Sequence, residues 1–419
     1  MKELKKVLGF LFSLPKIIKV YIVLGLLASV IANEKPLYIR YHNQSFFPIF
    51  TSEKYIQIEG ENNLIEFTNW HNIDYQLALF PIIEWSPGKT DLTNSNFVSP
   101  FSKQYFYDRE GKKTDLPFIR RHFLGTTRSG EDVLAGIIHG CQIALIIGMS
   151  FIVIAGIIGI FIGGIAGYFG DYRLKISFIT VLLLSLIAFP ALYLSKQINS
   201  INTEYTFVNA IIFLGSSIIF ILILSSPIFI EKKLKLTNYF RIYIPIDFLF
   251  MRFVELFLSL PRLILILSIA LIFQPSLLML VIIIGFTSWT DIARITRAEV
   301  MKTREIEYIQ ASKAIGTNFY RVLTNHLLPN IFPSLSAIFV YGFISAILTE
   351  TGLSFLGIGL PPGSASWGTL MFSAKENFYA WWLVLFPGIA ISLLLISLNN
   401  LGDKMLKKPI KSTLFVNSF

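Results

Sequence analysis

The longest stretch without a charged residue runs from Val133 to Gly170 and contains no Asp, Glu, Lys or Arg. A helix crosses the hydrocarbon core of a bilayer with about 20 consecutive apolar residues, so this stretch is more than long enough. Further apolar runs follow it, and 54% of the 419 residues are hydrophobic while only 15% are charged. A typical soluble domain is about 25% charged. The sequence therefore predicts a polytopic helical membrane protein.

The net charge is +10, and the basic residues stand beside the apolar runs. In that position they set membrane topology and face anionic lipid, so nucleic acid is not an expected partner. The single cysteine, Cys141, excludes an intramolecular disulfide, and the five histidines are scattered. Gly88-Lys89-Thr90 ends like a phosphate-binding P-loop, but Ile83 stands where the upstream glycine is needed. We expect no catalytic residue, no metal site and no cofactor bound by this chain.

The longest polar interval in the second half of the chain runs from Trp289 to Asn330, between two apolar spans. Its helical spacing of Ile306, Ile309, Ala311 and Ala314 predicts a short helix. Gly316 can adopt the positive φ of a turn, and Pro329 starts or interrupts the next helix. The interval is rich in basic residues, which places it in the cytoplasm: Arg294, Arg297, Lys302, Arg304, Lys313 and Arg321.

Small residues at 311, 312 and 314 would let this helix enter a groove of a partner protein. On composition alone, an ordinary amphipathic cytoplasmic loop is the alternative. The order Gln310-Ala311-Ser312, Gly316 and His326-Leu-Leu-Pro329 resembles the EAA loop of ABC importer permeases. In that family the loop is the coupling helix that docks into the ATPase subunit, and its first residue is Glu where this chain has Gln310.

The resemblance implies functional roles for particular residues of the loop 291–330. The residues expected in the ATPase-coupling contact are Glu307, Gln310, Ala311, Ser312, Gly316 and Pro329. The expected supporting charges are Asp291, Arg294 and Arg297.

Two other stretches resemble the dipeptide, oligopeptide and nickel branch of these permeases. The first begins at His122 and ends at Asp132-Val133, with Thr127 and Glu131 replacing the family's Asp and Arg, so any salt bridge between those two is lost or rewired. The second runs from Glu350 to Trp367-Gly368 on the outer side. It makes Glu350 and Trp367 candidate residues of a gate or substrate path. A structural hydrogen-bonding acid is the alternative for Glu350.

The resemblance implies an all-α polytopic fold, the type I ABC importer transmembrane domain, with an N-terminal anchor helix and five core helices. It implies a permease subunit that moves short peptides by alternating access and is not itself an enzyme. The implied partners are a second permease subunit, two ATPase subunits that bind ATP-Mg, and an extracytoplasmic substrate-binding protein. Import of nickel or another small solute, or proton-coupled peptide transport, remain alternatives.

Hydropathy and the resemblance together divide the chain into six segments. We expect a cytoplasmic N-terminus and first transmembrane helix at 1–33, a small extracytoplasmic module at 34–131, a core transmembrane helix at 132–170, an inserted transmembrane hairpin at 171–245, a core transmembrane domain at 246–405, and a cytoplasmic tail at 406–419. The module is rich in Tyr, Phe, Asn and Pro, which favours β-rich or irregular structure. The basic residues near both ends predict cytoplasmic termini of an inner-membrane protein.

Overall fold

The computed structural model describes residues 14–41, 44–50, 55–58, 61–64, 70, 73, 75–107, 112–171, 175–177, 241–243, 245–361 and 363–407. Within it, the chain forms two compact units, one made of Met1–Gly163 with Leu256–Phe419 and the other of Gly164–Glu255. The apolar runs predicted as an inserted hairpin, Ile176–Leu194 and Tyr205–Ile230, lie almost wholly outside the described residues.

Helices make up most of the described chain. Their bounds are α1 (Lys16–Leu26), α2 (Ala28–Ile31), α3 (Val133–Phe169), α4 (Ile246–Leu258), α5 (Arg262–Ala270), α6 (Leu277–Thr303), α7 (Glu307–Ala314), α8 (Phe319–Val322), α9 (Leu328–Leu356), α10 (Trp367–Ser373) and α11 (Trp382–Lys407). A π-helical turn, Leu323–Leu327, joins α8 to α9.

Four helical segments in the described residues are long and apolar enough to cross a membrane: α3, α6, Phe319–Leu356, which includes α9, and Trp382–Leu406 of α11. The bent pair α4 and α5 would make a fifth span. This count confirms an all-α polytopic protein and agrees with the five core helices predicted above. The helix predicted at the N-terminus appears as α1 and α2, with a break at Leu27.

Within the core domain, the apolar runs 256–273 and 276–289 predict the third and fourth core spans, and the helices differ from these bounds. The α4 helix begins earlier, at Ile246, and the chain restarts as α5 after Pro261, which has no N–H to continue a helix. The α6 helix continues past Trp289 to Thr303. It continues because Ile292, Thr296 and Val300, spaced one turn apart, are all buried.

Close contacts at glycine hold α3 against its neighbours. A Cβ at Gly140 would lie 2.4 Å from the indole of Trp367 in α10, and a Cβ at Gly163 would lie 2.3 Å from the carbonyl oxygen of Ala293 in α6. Small residues allow helices to approach closely in lipid, where burial of apolar surface does not drive association. The glycines of α3 thus set how near its partner helices can pack.

The module at 34–131 is built from short antiparallel strands, as predicted. Their bounds are β1 (Tyr38–Tyr41), β2 (Gln44–Phe46), β3 (Tyr55–Ile58), β4 (Glu61–Leu64), β5 (Leu77–Leu79), β6 (Tyr105–Tyr107) and β7 (Lys113–Asp115). One sheet has the order β2-β1-β5, and β3-β4 and β6-β7 are hairpins. Ile39 and Trp70 are buried at the centre of a small apolar cluster beside the first sheet.

The ends of the segment 171–245 meet in the second unit. There β8 (Lys175–Ser177) pairs antiparallel with β9 (Arg241–Tyr243), with Lys175 opposite Tyr243. An inserted segment whose two ends lie side by side can be added without displacing the helices that flank it. The pairing is compatible with an insertion, and the inserted hairpin at 171–245 stays a prediction.

Candidate functional site

One fully buried side chain anchors α7 in the interior of the protein. Ile309 is fully buried, and it is the buried residue of this helix. Glu307, Gln310, Ala311 and Ala314 are exposed. The predicted coupling residues therefore lie on an open face whose small side chains leave the backbone accessible.

Gly316 ends α7 in a Schellman motif. Its φ is +83°, its N–H donates to the carbonyl of Lys313 at 2.9 Å, and the N–H of Thr317 donates to the carbonyl of Ser312 at 3.2 Å. The hydroxyl of Ser312 also donates to that of Thr317 at 3.1 Å. The turn that the sequence predicted at Gly316 is confirmed, and it satisfies the last carbonyl groups of α7.

Polar contacts tie α7 to the start of α9. The side-chain amide of Asn330 donates to the hydroxyl of Tyr308 and to the carbonyl of His326 at 2.8 Å. The rings of Tyr308 and His326 meet edge to face with centroids 6.2 Å apart. Pro329 stands in the first turn of α9, directly after the π-helical turn Leu323–Leu327. A displacement of α7 would therefore pull directly on α9.

The amide of Gln310 is used inside the loop. It donates to the carboxylate of Glu305 at 3.1 Å and to the backbone carbonyl of the same residue at 3.2 Å. A glutamate here would face Glu305 and could not donate. The substitution of Gln for the family's Glu is thus matched by a contact that needs an amide.

The supporting charges lie on α6, with Asp291 about three turns and Arg297 nearly two turns before the helix ends at Thr303. Asp291 is 3.6 Å from the guanidinium of Arg262 and 3.8 Å from that of Arg294, and Arg262 also donates to the hydroxyl of Ser288. Arg297 is half-buried. Arg262, which begins the apolar helix α5, therefore has Asp291 and Ser288 as partners.

A family model described as the binding-protein-dependent transport system inner membrane component matches residues 236–408, which contain α4 to α11 and the whole loop. By this match, residues 236–408 form the membrane component of a binding-protein-dependent ABC transport system. The chain is 24% identical to the inner membrane ABC transporter permease protein YejE of Escherichia coli, over 91% of this chain and 87% of that protein.

Two further relatives carry cargo in their names. The chain is 24% identical to the peptidoglycan transport system permease protein YejE of Agrobacterium fabrum, over 91% of this chain and 84% of that protein. It is 37% identical to the di/tripeptide transport system permease protein DppC of Pseudomonas aeruginosa, over 37% of this chain and 52% of that protein. The chain is thus a multi-pass inner-membrane subunit of an ABC importer, works with other subunits, and is not itself an enzyme.

The two candidate gate residues of this permease are both inside the protein. Glu350, near the end of α9, is 2% exposed and accepts hydrogen bonds from Ser354 at 2.8 Å and from Thr351 at 3.4 Å. Trp367 begins α10, is 1% exposed, and donates its indole N–H to the carbonyl of Ile137 at 3.0 Å. Their role in a gate or substrate path stays a prediction.

The stretch that begins at His122 forms a buried charge network at the start of α3. The His122 ring is fully buried, with Nδ1 2.9 Å from Asp132 and Nε2 3.3 Å from Asp91, and it stacks on Trp85. Burial alone would lower the pKa of His122, but the hydrogen bonds and charges of the two carboxylates outweigh it and raise the pKa. Asp132 also accepts the N–H of Ala135 at 2.7 Å, which caps the helix.

The two positions that depart from the family pattern contact each other. The hydroxyl of Thr127 donates to the carboxylate of Glu131 at 3.3 Å, and the N–H of Glu131 donates to that hydroxyl at 3.1 Å. Burial raises the pKa of Glu131, and the hydrogen bonds from Thr127 and Ser129 offset only part of that effect. In this chain, the contact between these two positions thus consists of hydrogen bonds that the Thr127 hydroxyl makes with the carboxylate and the N–H of Glu131.

Several contacts could not be found from sequence order. Asp91 joins His122 across 31 positions, and no local pattern marks it. Gly88, which looked like part of a P-loop, lies in a turn with φ +75°, where a Cβ would be 2.3 Å from the carbonyl of Gly363. In the sequence, the glycine at position 88 was the only sign that the backbone makes a close contact there.

Proposed function

We propose that this permease moves short peptides across the cytoplasmic membrane by alternating access, driven by ATP hydrolysis on separate subunits that bind ATP-Mg. The assembly would contain a second permease subunit, two ATPase subunits and an extracytoplasmic substrate-binding protein. Both termini and the loop 291–330 would face the cytoplasm. The names of the relatives support peptide cargo, since one is a di/tripeptide permease.

The observation that carries the proposal is the exposed face of α7. Ala311 and Ala314 leave room for a groove to approach, Glu307 and Gln310 flank them, and Ile309 anchors the helix from below. A helix held by one buried side chain and by the Tyr308–Asn330 contact can be moved as a unit. Closure of the ATPases against this face would then shift the ends of α6 and α9, which the loop connects.

The remaining predicted residues would support that movement. Gly316 lets the chain turn sharply after α7, so the docking face is short and well defined. Asp291, held between Arg262 and Arg294, would keep the cytoplasmic half of α6 attached to α5 while the loop moves. On the outer side, Glu350 and Trp367 would reach a substrate only in a conformation that opens the packing around them.

The test is co-purification of the permease with its ATPase after expression with its genomic neighbours. Ala311→Arg is expected to abolish ATPase retention, because a long cation on the small face blocks close approach. Ala311→Ser is the matched control and should retain the ATPase. Retention of the ATPase by Ala311→Arg, or its loss from both variants, would refute the docking role of α7.

Cargo is tested in proteoliposomes that contain the whole importer and its binding protein. Radiolabelled Ala-Ala is expected to enter only when ATP and Mg²⁺ are supplied to the cytoplasmic side. Uptake that collapses with a protonophore and ignores ATP would indicate a proton-coupled carrier. Uptake of nickel with no uptake of Ala-Ala would indicate a nickel importer.

A further inference from the structure

A cavity of about 450 Å³ lies in the first unit, at the end of the spans that bears the β module. Glu131 and Asp132 line it from the start of α3, and Ser354, Ser364 and Thr369 line it from α9, α10 and the segment between them. A volume of this size falls in the range of sites that bind small molecules. None of its described lining residues is Lys, Arg or His.

The two acidic residues of the lining differ in their partners. Asp132 is matched by the His122 ring and by the N–H of Ala135. Glu131 is half-buried and has the hydroxyls of Thr127 and Ser129 as its side-chain partners. Within the residues that the structure describes, Glu131 makes no ion pair. Glu131 is therefore the acidic residue of the described lining whose negative charge a bound cation could neutralise.

The basic side chains nearest to the cavity in sequence are engaged elsewhere. Lys89 is 2.8 Å from Glu34, and Arg128 is 3.0 Å from Glu376. Lys375 donates to the backbone carbonyl of Phe355 and lies 4.2 Å above the ring of the same residue. Within the described residues, these three cations are thus paired with groups other than Glu131.

The rim of the cavity is made by close backbone contact. Gly88 and Gly363 both have positive φ, and a Cβ on Gly88 would lie 2.3 Å from the carbonyl oxygen of Gly363. Ser354, which lines the cavity, donates to the buried carboxylate of Glu350. One hydrogen bond, through Ser354, thus connects the cavity lining to Glu350, the candidate residue of the substrate path.

We propose that this cavity receives a primary ammonium group of the transported peptide, with Glu131 as its counter-ion and the hydroxyls of Ser129, Ser364 and Thr369 as hydrogen-bonding neighbours. The inference rests on the proposed peptide cargo. The site needs a carboxylate at position 131, since a cationic side chain there would fill the same place with positive charge.

The test measures binding of labelled Ala-Ala to the purified importer in nanodiscs, without the binding protein. Glu131→Gln is expected to weaken binding about tenfold or more, as for loss of one charge-assisted hydrogen bond. Asp115→Asn removes an exposed carboxylate of β7 that lies outside the cavity lining and leaves the Arg128–Glu376 pair intact, so it should bind like wild type. Ser364→Lys places an ammonium inside the cavity and should also weaken binding while leaving Glu131 intact.

Blocked peptides identify the group that binds. N-acetyl-Ala-Ala has no ammonium and is expected to bind at least tenfold more weakly than Ala-Ala. N-acetyl-Ala-Lys carries an ammonium only on its lysine side chain. If it binds as tightly as Ala-Ala, the site accepts an ammonium group from either the N-terminus or a side chain of the peptide. Equal binding of Ala-Ala and N-acetyl-Ala-Ala, or equal binding to wild type and Glu131→Gln, would overturn the proposal.

The uptake assay separates this inference from the proposed function. If wild type imports Ala-Ala but Glu131→Gln binds it equally well, the cavity assignment fails and the peptide importer stands. If wild type imports no peptide, butylammonium chloride serves as the binding probe. Butylammonium binding that Glu131→Gln weakens supports the cation site, and equal binding to both proteins rejects it.

Discussion

The His122 network predicts a large local loss of stability when its central cation is removed. In wild type, the buried ring stands between Asp132 at 2.9 Å and Asp91 at 3.3 Å. His122→Gln keeps a polar side chain but leaves both carboxylates without a cation. Breaking a buried pair from one side costs about 3–5 kcal/mol, because the remaining charge is left uncompensated.

Hydrogen exchange of the amides in 122–135 measures this loss directly, because the segment should open locally before the spans unfold. A cost of 3–5 kcal/mol corresponds to a rise of roughly two to nearly four orders of magnitude in the opening equilibrium. The double variant Asp91→Asn/His122→Gln should regain at least tenfold of the lost protection, because one uncompensated charge is gone. His139→Gln is the control, since the His139 ring contacts one backbone carbonyl.

The effect must also depend on pH with a definite sign. The pKa of His122 is raised by folding, so its contribution to stability is fully present below its unfolded pKa, about 6.5. That contribution is lost as the pH rises through the folded pKa. The pKa of Asp91 is lowered: burial opposes this, but bonds from His122 and Asn94 prevail. The Asp91 contribution is therefore lost only in acid, below its unfolded pKa of about 3.9.

The difference in protection between wild type and His122→Gln should therefore be largest near pH 6 and should shrink as the pH is raised. Protection in His122→Gln within threefold of wild type at pH 6 would refute the reasoning. A difference that grows with pH would refute it as well, because the cation would then not be the stabilising species.

Three other changes have expected outcomes. Gly316→Ala forces a Cβ into positive φ without a steric clash, so we expect a local cost of about 1–2 kcal/mol and weaker but detectable ATPase retention in pull-downs. Gly140→Ala puts a Cβ into the indole of Trp367, so thermal stability should fall by about 1–3 kcal/mol, with a shift in tryptophan fluorescence. Arg262→Met should cost no more than about 1 kcal/mol in thermal denaturation, because the Arg262 and Asp291 side chains are 36% and 46% exposed and Arg294 still pairs with Asp291.

The sequence alone determined those features that depend on neighbouring residues. The uncharged stretch from Val133 predicted a span that the structure gives as α3, ending at Phe169. Gly316 predicted the turn after α7, because glycine has no Cβ and tolerates positive φ. Pro329 predicted that the next helix starts or is interrupted there, because the proline ring fixes φ and removes an N–H. The EAA-like order predicted the permease family, which the family match confirms.

Tertiary structure decided what depends on residues distant in the chain. The α6 helix continues past Trp289 because packing buries Ile292 and Val300, although the charged residues between them read as a loop. The partner of His122 at Asp91 and the contact of Gly88 with Gly363 join positions that no periodic pattern relates. The signals for spans and turns depend on neighbouring residues. The cavity beside Glu131 forms only once α3, α9 and α10 have packed together, and packing also decides which groups Glu131 can contact.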